Sequence, residues 1–130
     1  MSRSLNPILL IVEDDPLMRD LIELALRQHF SPPFEIHLAS DGAKALEMIK
    51  ENPPTLIVLD ILLPQMNGLQ ILQYLHEHPT NGHRPRILII SALGVREVVQ
   101  QAVDRGADGF LVKPFDTETL VSRLKSILVQ

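Results

Sequence analysis

The sequence predicts an α/β protein with a doubly wound parallel sheet, and two kinds of alternating segment carry this prediction. Short, continuous apolar runs rich in β-branched residues alternate with longer segments whose apolar residues recur every three or four positions. Continuous apolarity indicates strands that are buried on both faces, as in a parallel sheet covered by helices. A β-α unit repeated five times would make right-handed crossovers, which place the ligand site at the carboxyl ends of the strands.

Five strands are predicted, three from strong apolar runs and two from weaker ones. The strong runs are residues 8–12, 56–59 and 87–90, and the weaker ones are residues 35–39 and 109–112. The continuous apolar runs predict strands that are buried on both faces by helices above and below the sheet.

Five helices are predicted from apolar spacing and from capping signals. Asp15, which proline follows, and Asp41 and Asp116 stand where N-caps are expected. Two prolines at 53–54 end the second helix, and Gly106 ends the fourth. The apolar repeats that define the helices are Leu17, Leu21, Leu24 and Ala25; Ala45, Leu46 and Ile49; Leu69, Leu72 and Leu75; Val98, Val99, Ala102 and Val103; and Leu120, Leu124, Ile127 and Leu128.

The composition argues against several classes of function and site. The chain has 130 residues, with 12 Lys and Arg against 16 Asp and Glu, so its net charge is −4. An acidic balance with one Tyr, four Phe and no Trp argues against direct nucleic-acid binding, which needs a basic face and stacking aromatics. Cys is absent, which excludes disulfides and thiolate metal sites.

Length and hydropathy set the remaining expectations. The length fits a single domain over residues 1–130, with no room for an effector domain. No apolar run approaches the roughly 18 residues of a membrane span, and the polar start is too short for a signal peptide. We therefore expect no membrane association and a cytoplasmic location.

Polar residues stand at the ends of the predicted strands. The first strand runs into Glu13, Asp14 and Asp15, and the third into Asp60. Carboxylates that meet at one sheet edge repel one another unless a cation joins them. Mg²⁺ is the natural cation, because it prefers oxygen ligands and keeps coordination positions open for phosphate. Ser91 after the fourth strand and Lys113 after the fifth would then bind a phosphoryl group.

With these residues in place, the chain resembles the receiver domain of two-component response regulators. The matching stretches are residues 8–16, 59–68, 90–92 and 106–115. The resemblance implies a flavodoxin-like receiver fold with five helices and strand order 2-1-3-4-5. It also implies that Asp60 is a phosphoacceptor, which takes phosphoryl from a sensor histidine kinase or a phosphotransfer protein. Glu13, Asp14, Asp60 and the backbone carbonyl of Leu62 would hold Mg²⁺.

The same resemblance implies a conformational switch. Lys113 would pair with the phosphoryl group through its ammonium, and the bond to the proline after it is expected to be cis. Ser91 would move toward the phosphoryl oxygen, and Phe110 would rotate inward behind it. Pro64 and Gly68 would shape the loop after the phosphoacceptor. These changes would alter the surface of the fourth helix, fifth strand and fifth helix, where a downstream protein target would bind.

Several positions depart from the usual pattern of the family. Glu13 stands where many receivers have Asp, and its longer arm would reach the metal through water. The two apolar residues Leu62 and Leu93 would flank the path of an attacking water and cannot orient it, which predicts slow self-dephosphorylation.

The charged lattice through which many receivers dimerise is incomplete here. Arg123 and Asp108 match it, whereas Gly109 and Thr119 replace acidic residues, so the expectation is a monomer or a weak dimer. The apolar residues of the fourth helix are expected to be core rather than interface; they are Val99, Ala102 and Val103. Of the His residues, His76, His78 and His83 lie together in sequence but lack a fourth ligand for zinc, which favours solvated loop histidines.

Two further functions remain open. One is a Mg²⁺-dependent phosphohydrolase with an Asp nucleophile, although such enzymes usually carry two Asp residues spaced by two at the end of the first strand. The other is an interaction module of the same fold that is never phosphorylated. An FMN carrier is disfavoured, because no Gly/Ser/Thr-rich loop follows the first strand.

Overall fold

The five strands form one parallel sheet in the order β2-β1-β3-β4-β5, which confirms the predicted fold class. The fold is taken from a computed structural model that describes residues 6–30, 34–78 and 84–129. Leu10 pairs with His37 on one side and with Ile57 on the other, so the first strand lies inside the sheet. The strands are β1 Ile8–Val12, β2 Glu35–Ala39, β3 Leu56–Asp60, β4 Arg86–Ser91 and β5 Gly109–Val112.

A helix follows each strand, and four of the five helices begin at a side-chain cap. The caps are Asp15, Asp41, Asn67 and Asp116, each of which accepts a hydrogen bond from an N–H of the first turn. The helix that follows β4 begins after Val95, which provides no side-chain cap. The helices are α1 Pro16–His29, α2 Gly42–Glu51, α3 Gly68–Glu77, α4 Arg96–Asp104 and α5 Thr117–Leu128.

The core lies in two layers, because side chains alternate between the two faces of each strand. On one face, Leu9, Val58 and Ile90 pack against residues of α1 and α5. On the other face, the neighbouring strand residues pack against α2, α3 and α4. All residues of β1 and β3 are buried, as their continuous apolar sequences predict. Within the described residues, no helix is long and apolar enough to cross a membrane.

The buried face of α1 differs from the most prominent repeat in its sequence. Ile22, Ala25 and Leu26 are the buried residues of this helix. Leu17, Leu21 and Leu24 also follow a helical repeat, yet they are 70%, 52% and 55% exposed. The helix therefore carries two apolar stripes, and one of them faces solvent beside the carboxyl ends of the strands.

On α4, only some of the apolar residues that were expected in the core are buried. Ala102 is fully buried and Val99 is half-buried. Val103 is 54% exposed, so its assignment to the core is wrong. The reason is geometric: α4 buries a single residue completely, and Val103 is turned about 100° away from Ala102 on the helix.

Candidate functional site

Three carboxylates meet at the carboxyl ends of β1 and β3. Val12 pairs with Leu59, so Glu13 and Asp60 occupy the next position on neighbouring strands. One carboxylate oxygen from each of Glu13, Asp14 and Asp60 lies within 4.8 Å of the others. Glu13 and Asp60 are buried, whereas Asp14 is exposed. The structure thus brings together the acidic residues that the sequence places at separate strand ends.

Lys113 joins two of these carboxylates. Its Nζ donates to Glu13 Oε1 at 2.7 Å and to Asp60 Oδ2 at 2.8 Å. The lysine follows β5, and its main-chain N–H donates to the carbonyl of Ser91 at 2.8 Å, which fixes the start of the loop against β4. A cis peptide bond links Lys113 to Pro114, as expected. One ammonium therefore serves two buried carboxylates.

The site carries more negative than positive charge. Burial raises the pKa of Glu13, and the charge of Asp60 raises it further, although hydrogen bonds from Lys113 and from the N–H of Asp15 act in the opposite direction. Burial would lower the pKa of Lys113, but its hydrogen bonds and its attraction to Asp60 and Glu13 outweigh this, so the pKa is raised. When all three carboxylates are ionised, one ammonium leaves two negative charges uncompensated.

The donor set fits a hard divalent cation. Glu13, Asp14 and Asp60 offer only oxygen ligands, and the exposed Asp14 leaves one side of the cluster open to water. Mg²⁺ favours a site with a few carboxylates and several retained waters. The residues that could hold it are therefore the three carboxylates predicted from the sequence. The role of the Leu62 carbonyl stays a prediction.

Asp60 is held on both carboxylate oxygens. Oδ2 accepts from Lys113, and Oδ1 accepts from the N–H of Leu62 at 3.1 Å. The chain then turns into α3, whose first residue, Gly68, lies so close that a Cβ atom there would stand 2.5 Å from the Asp60 carbonyl oxygen. Only glycine fits this close approach, and it keeps the loop after Asp60 tight against the end of β3.

Ser91 forms a wall of the crevice at the end of β4. The residue is fully buried, and its Oγ accepts a hydrogen bond from the N–H of Leu93 at 3.0 Å. Its hydroxyl proton can still be donated to another group. Leu93 and Leu62, whose N–H groups donate to Ser91 and Asp60, are 40% and 50% exposed, and the effect of their side chains on an attacking water stays a prediction.

Phe110 lies on β5 and is half-buried. It packs with the core cluster that covers α2, α3 and α4, and its residue pairs with Ile89 of β4. Its carbonyl oxygen accepts from Arg123 Nη1 at 3.0 Å, which ties α5 to β5. Phe110 thus lies in the layer of the core that also packs against α4.

The groups assigned to a dimer lattice make contacts within the chain. Asp108 accepts from the N–H of Ile87 at 2.8 Å and lies 3.4 Å from Arg84 Nη1. Arg123 donates to Phe110, as described above. Both side chains are therefore engaged in holding β5 to its neighbours. The oligomeric state stays a prediction.

Three histidines lie at or after the end of α3, and the structure describes two of them. His76 and His78 are exposed, and the ring of His78 stacks on Tyr74 with 4.2 Å between ring centroids. His83 lies outside the described residues. The carboxylate cluster at the strand ends is the group of metal-binding side chains found in the described part of the chain.

One contact at the site was not predicted from the sequence. Arg19 of α1 donates from Nη1 to the main-chain carbonyl of Glu13 at 3.1 Å. The sequence does contain one indication that Arg19 has a specific partner. It is a cation in the first turns of a helix, where the helix dipole disfavours positive charge. Its target is a backbone oxygen, however, and backbone contacts leave no trace in the spacing of side chains.

Fold and site together define a doubly wound α/β domain with an acidic crevice, which could hold a cation, at the switch point of its sheet. A sequence model of the response regulator receiver domain matches residues 9–125. The chain therefore belongs to the response regulator receiver domain family of two-component systems.

Individual relatives agree with this assignment. The chain is 34% identical over 122 residues to the DNA-binding dual master transcriptional regulator RpaA of Synechocystis sp., covering 94% of this chain and 49% of the relative. It spans about half the length of the curated relatives it matches.

Solved structures have the same fold. A Chloroflexus aurantiacus protein described as a response regulator superposes with a TM-score of 0.84 at 33% identity, covering 96% of this chain and 99% of that one. A chain of the CheX-CheY-BeF3-Mg²⁺ complex from Borrelia burgdorferi gives 0.83 at 29% identity, covering 95% and 94%.

Proposed function

We propose that this domain is a phosphoryl-accepting switch of a two-component phosphorelay, with Asp60 as the acceptor. The observation that carries the proposal is the environment of Asp60. The residue is 3% exposed at a strand end, its carboxylate is bound by Lys113, and two further carboxylates lie beside it. A buried nucleophile between a cation and a metal-binding cluster suits phosphoryl transfer, in which catalysis is mostly positioning and charge neutralisation.

In the proposed step, a carboxylate oxygen of Asp60 attacks the phosphorus of a phosphohistidine on the donor protein. The phosphorus–nitrogen bond breaks, its electron pair stays on the imidazole nitrogen, and an acyl phosphate forms on Asp60. Lys113, whose ammonium already binds Asp60, then pairs with a phosphoryl oxygen. When bound by Glu13, Asp14 and Asp60, Mg²⁺ supplies the charge neutralisation that one lysine cannot provide.

The output of the switch is proposed to pass through Ser91 and Phe110. The Ser91 hydroxyl would leave the N–H of Leu93 and donate to the phosphoryl group, and Phe110 would move into the space behind it. Support for an output surface on α4, β5 and α5 comes from the apolar side chains exposed there. Val95 and Val103 are each 54% exposed and Val112 is 44% exposed, which suits contact with a protein target.

The donor is proposed to approach across the start of α1. The exposed leucines of this helix begin two residues after Asp15 and continue along one face. Beside them, Met18, Leu21, Phe115 and Leu120 line a shallow cleft between α1 and α5. An apolar surface next to Lys113 and Asp60 suits a histidine kinase or phosphotransfer protein, which must bring its phosphohistidine to the crevice.

Labelling with acetyl phosphate and Mg²⁺ tests the proposal. We expect one phosphoryl group per chain, measured by intact mass, and no labelling of Asp60→Asn. Continuous release of phosphate from a phosphate ester over many turnovers would instead favour a phosphohydrolase. Failure of the folded wild-type chain to take up phosphoryl from either acetyl phosphate or a kinase would favour an unphosphorylated interaction module.

A further inference from the structure

We propose that Arg19 is a positioning residue of the metal-binding site, which pins the main chain of Glu13 so that the acidic turn keeps its shape. The inference rests on the proposed function of the crevice in binding Mg²⁺. It assigns a role to a side chain that touches neither the phosphoacceptor nor the carboxylate oxygens of the cluster.

Every polar group of Glu13 has a partner, and the partners come from different parts of the fold. Its N–H donates to the carbonyl of Ala39 in β2 at 3.1 Å. Oε2 accepts from the N–H of Asp15 at 3.1 Å, and Oε1 accepts from Lys113 at 2.7 Å. The carbonyl oxygen accepts from Arg19 at 3.1 Å. Arg19 is thus the side chain through which α1 holds this residue.

The helix itself does not account for Arg19. Asp15 caps α1, and Arg19 is the fourth residue after it, where the helix dipole disfavours a cation. Among the described residues, no carboxylate lies within salt-bridge distance of its guanidinium. Arg27 on the same helix provides the contrast, since it pairs with Glu23 at 2.8 Å, four residues away.

The acceptor that Arg19 binds is compatible with metal binding. A guanidinium has donors only and cannot ligate a cation. Because Arg19 donates to a carbonyl, it adds no further donor to the carboxylate oxygens of Glu13 and Asp14. Lys113, in contrast, occupies Oε1 of Glu13 and would leave it to meet a phosphoryl group. Arg19 would keep Glu13 in place when that contact is lost.

Mg²⁺ titration by calorimetry tests the inference on the full chain. Removal of a cation near the site should by itself tighten Mg²⁺ binding. We nevertheless expect Arg19→Gln to weaken it by about 10-fold, as loss of groups that orient metal ligands does. Arg19→Lys, which keeps the charge but whose ammonium reaches less far from the main chain than Nη1 does, should also weaken binding. The control Arg27→Gln should match the wild type. Unchanged or tighter binding by Arg19→Gln, or wild-type binding by Arg19→Lys, would overturn the proposal.

A kinetic readout separates positioning from a general loss of stability. Labelling of Arg19→Gln by acetyl phosphate should be slow at low Mg²⁺ and should recover to the wild-type rate when Mg²⁺ is saturating. A rate that stays low at saturating Mg²⁺ would contradict the assignment. If Arg19→Gln does not fold, Arg19→Lys carries both measurements. The outcome is independent of the phosphoacceptor proposal, because a wild-type chain that binds Mg²⁺ without being labelled would still report on Arg19.

Discussion

The two ends of the sheet hold their buried charge in opposite ways. At the carboxyl ends of the strands, one ammonium, that of Lys113, serves two carboxylates, Glu13 and Asp60. At the other end, one carboxylate, Asp108, lies near two guanidiniums, those of Arg84 at 3.4 Å and Arg86 at 4.0 Å. Each end thus has an ion shared between two partners, but the shared ion is a cation at one end and an anion at the other.

Burial makes the two ends physically different. The side chains of Glu13 and Asp60 are 1% and 4% exposed, so their excess negative charge cannot be neutralised by bulk water. The side chains of Arg84 and Arg86 are 44% and 35% exposed, so water and salt screen their charges. The contacts of Asp108 hold the chain before β5 against β4. The site around Glu13, in contrast, keeps an excess of negative charge that a cation could neutralise.

The largest expected effect comes from removing the ion shared at the site. Lys113→Met leaves two buried carboxylates without their shared cation, and we expect it to lower the free energy of unfolding by about 3 kcal/mol at neutral pH without Mg²⁺. Urea unfolding measures this, and added Mg²⁺ should restore part of the loss. Lys125→Met, on the exposed face of α5, is the control. Equal losses in the two variants would contradict the account.

The apolar mouth of the site gives the second prediction. Leu62 and Leu93 cannot orient a water molecule for attack on the phosphoryl group, so the phosphorylated form should be long-lived. Leu62→Asn places a polar side chain beside that path and should shorten the lifetime severalfold. Decay of the labelled protein after removal of acetyl phosphate provides the measurement. An unchanged or longer lifetime would show that the apolar side chain of Leu62 does not slow the attack of water.

A smaller effect is expected from neutralising one carboxylate. Because burial raises the pKa of Glu13 in the folded state, the folded protein holds this proton more tightly than the unfolded chain does. The associated stability is present at low pH and is lost as pH rises above 4.5, the ordinary value for Glu. Glu13→Gln should therefore be more stable than the metal-free wild type at neutral pH, and the difference should shrink in acid.

Thermal unfolding across this pH range, with and without Mg²⁺, checks the prediction for Glu13. Added Mg²⁺ should stabilise the wild type more than Glu13→Gln, since the variant has lost a carboxylate ligand. A difference between the two proteins that does not change with pH would show that Glu13 is not the group responsible.

The smallest effect is expected at the opposite end of the sheet. Asp108→Asn keeps an oxygen for the N–H of Ile87 but loses the attraction to one exposed and one half-buried arginine, so the cost should be about 1 kcal/mol or less. Urea unfolding at low and high salt should show this difference shrinking as salt rises. Mg²⁺ affinity, measured by calorimetry, should not change; a change would mean that the two ends are coupled.

Much of the fold could be predicted from the sequence because its signals are local. Asp15, Asp41 and Asp116 cap helices where expected, and the continuous apolar runs became the buried strands. The grouping of Glu13, Asp14 and Asp60 could also be predicted, because parallel strands bring their carboxyl ends to one edge.

Other features depend on tertiary contacts that periodicity does not encode. Two apolar stripes on α1 satisfy the same helical spacing, and only packing against the sheet selects Ile22 over Leu21. Val103 fits the repeat of α4 but faces solvent. From the sequence, Asp108 is assigned only to the charged lattice of a dimer, because its bond to the N–H of Ile87 joins residues 21 positions apart.

We propose that Asp60, at the end of the sheet where negative charge is in excess, receives the phosphoryl group. Tandem mass spectrometry of the protein labelled with acetyl phosphate and Mg²⁺ tests it most directly, with Asp108→Asn and Asp60→Asn in parallel. We expect one phosphoryl group on Asp60 in the wild type and in Asp108→Asn, and none in Asp60→Asn. A phosphoryl group on another residue, or full labelling of Asp60→Asn, would contradict it.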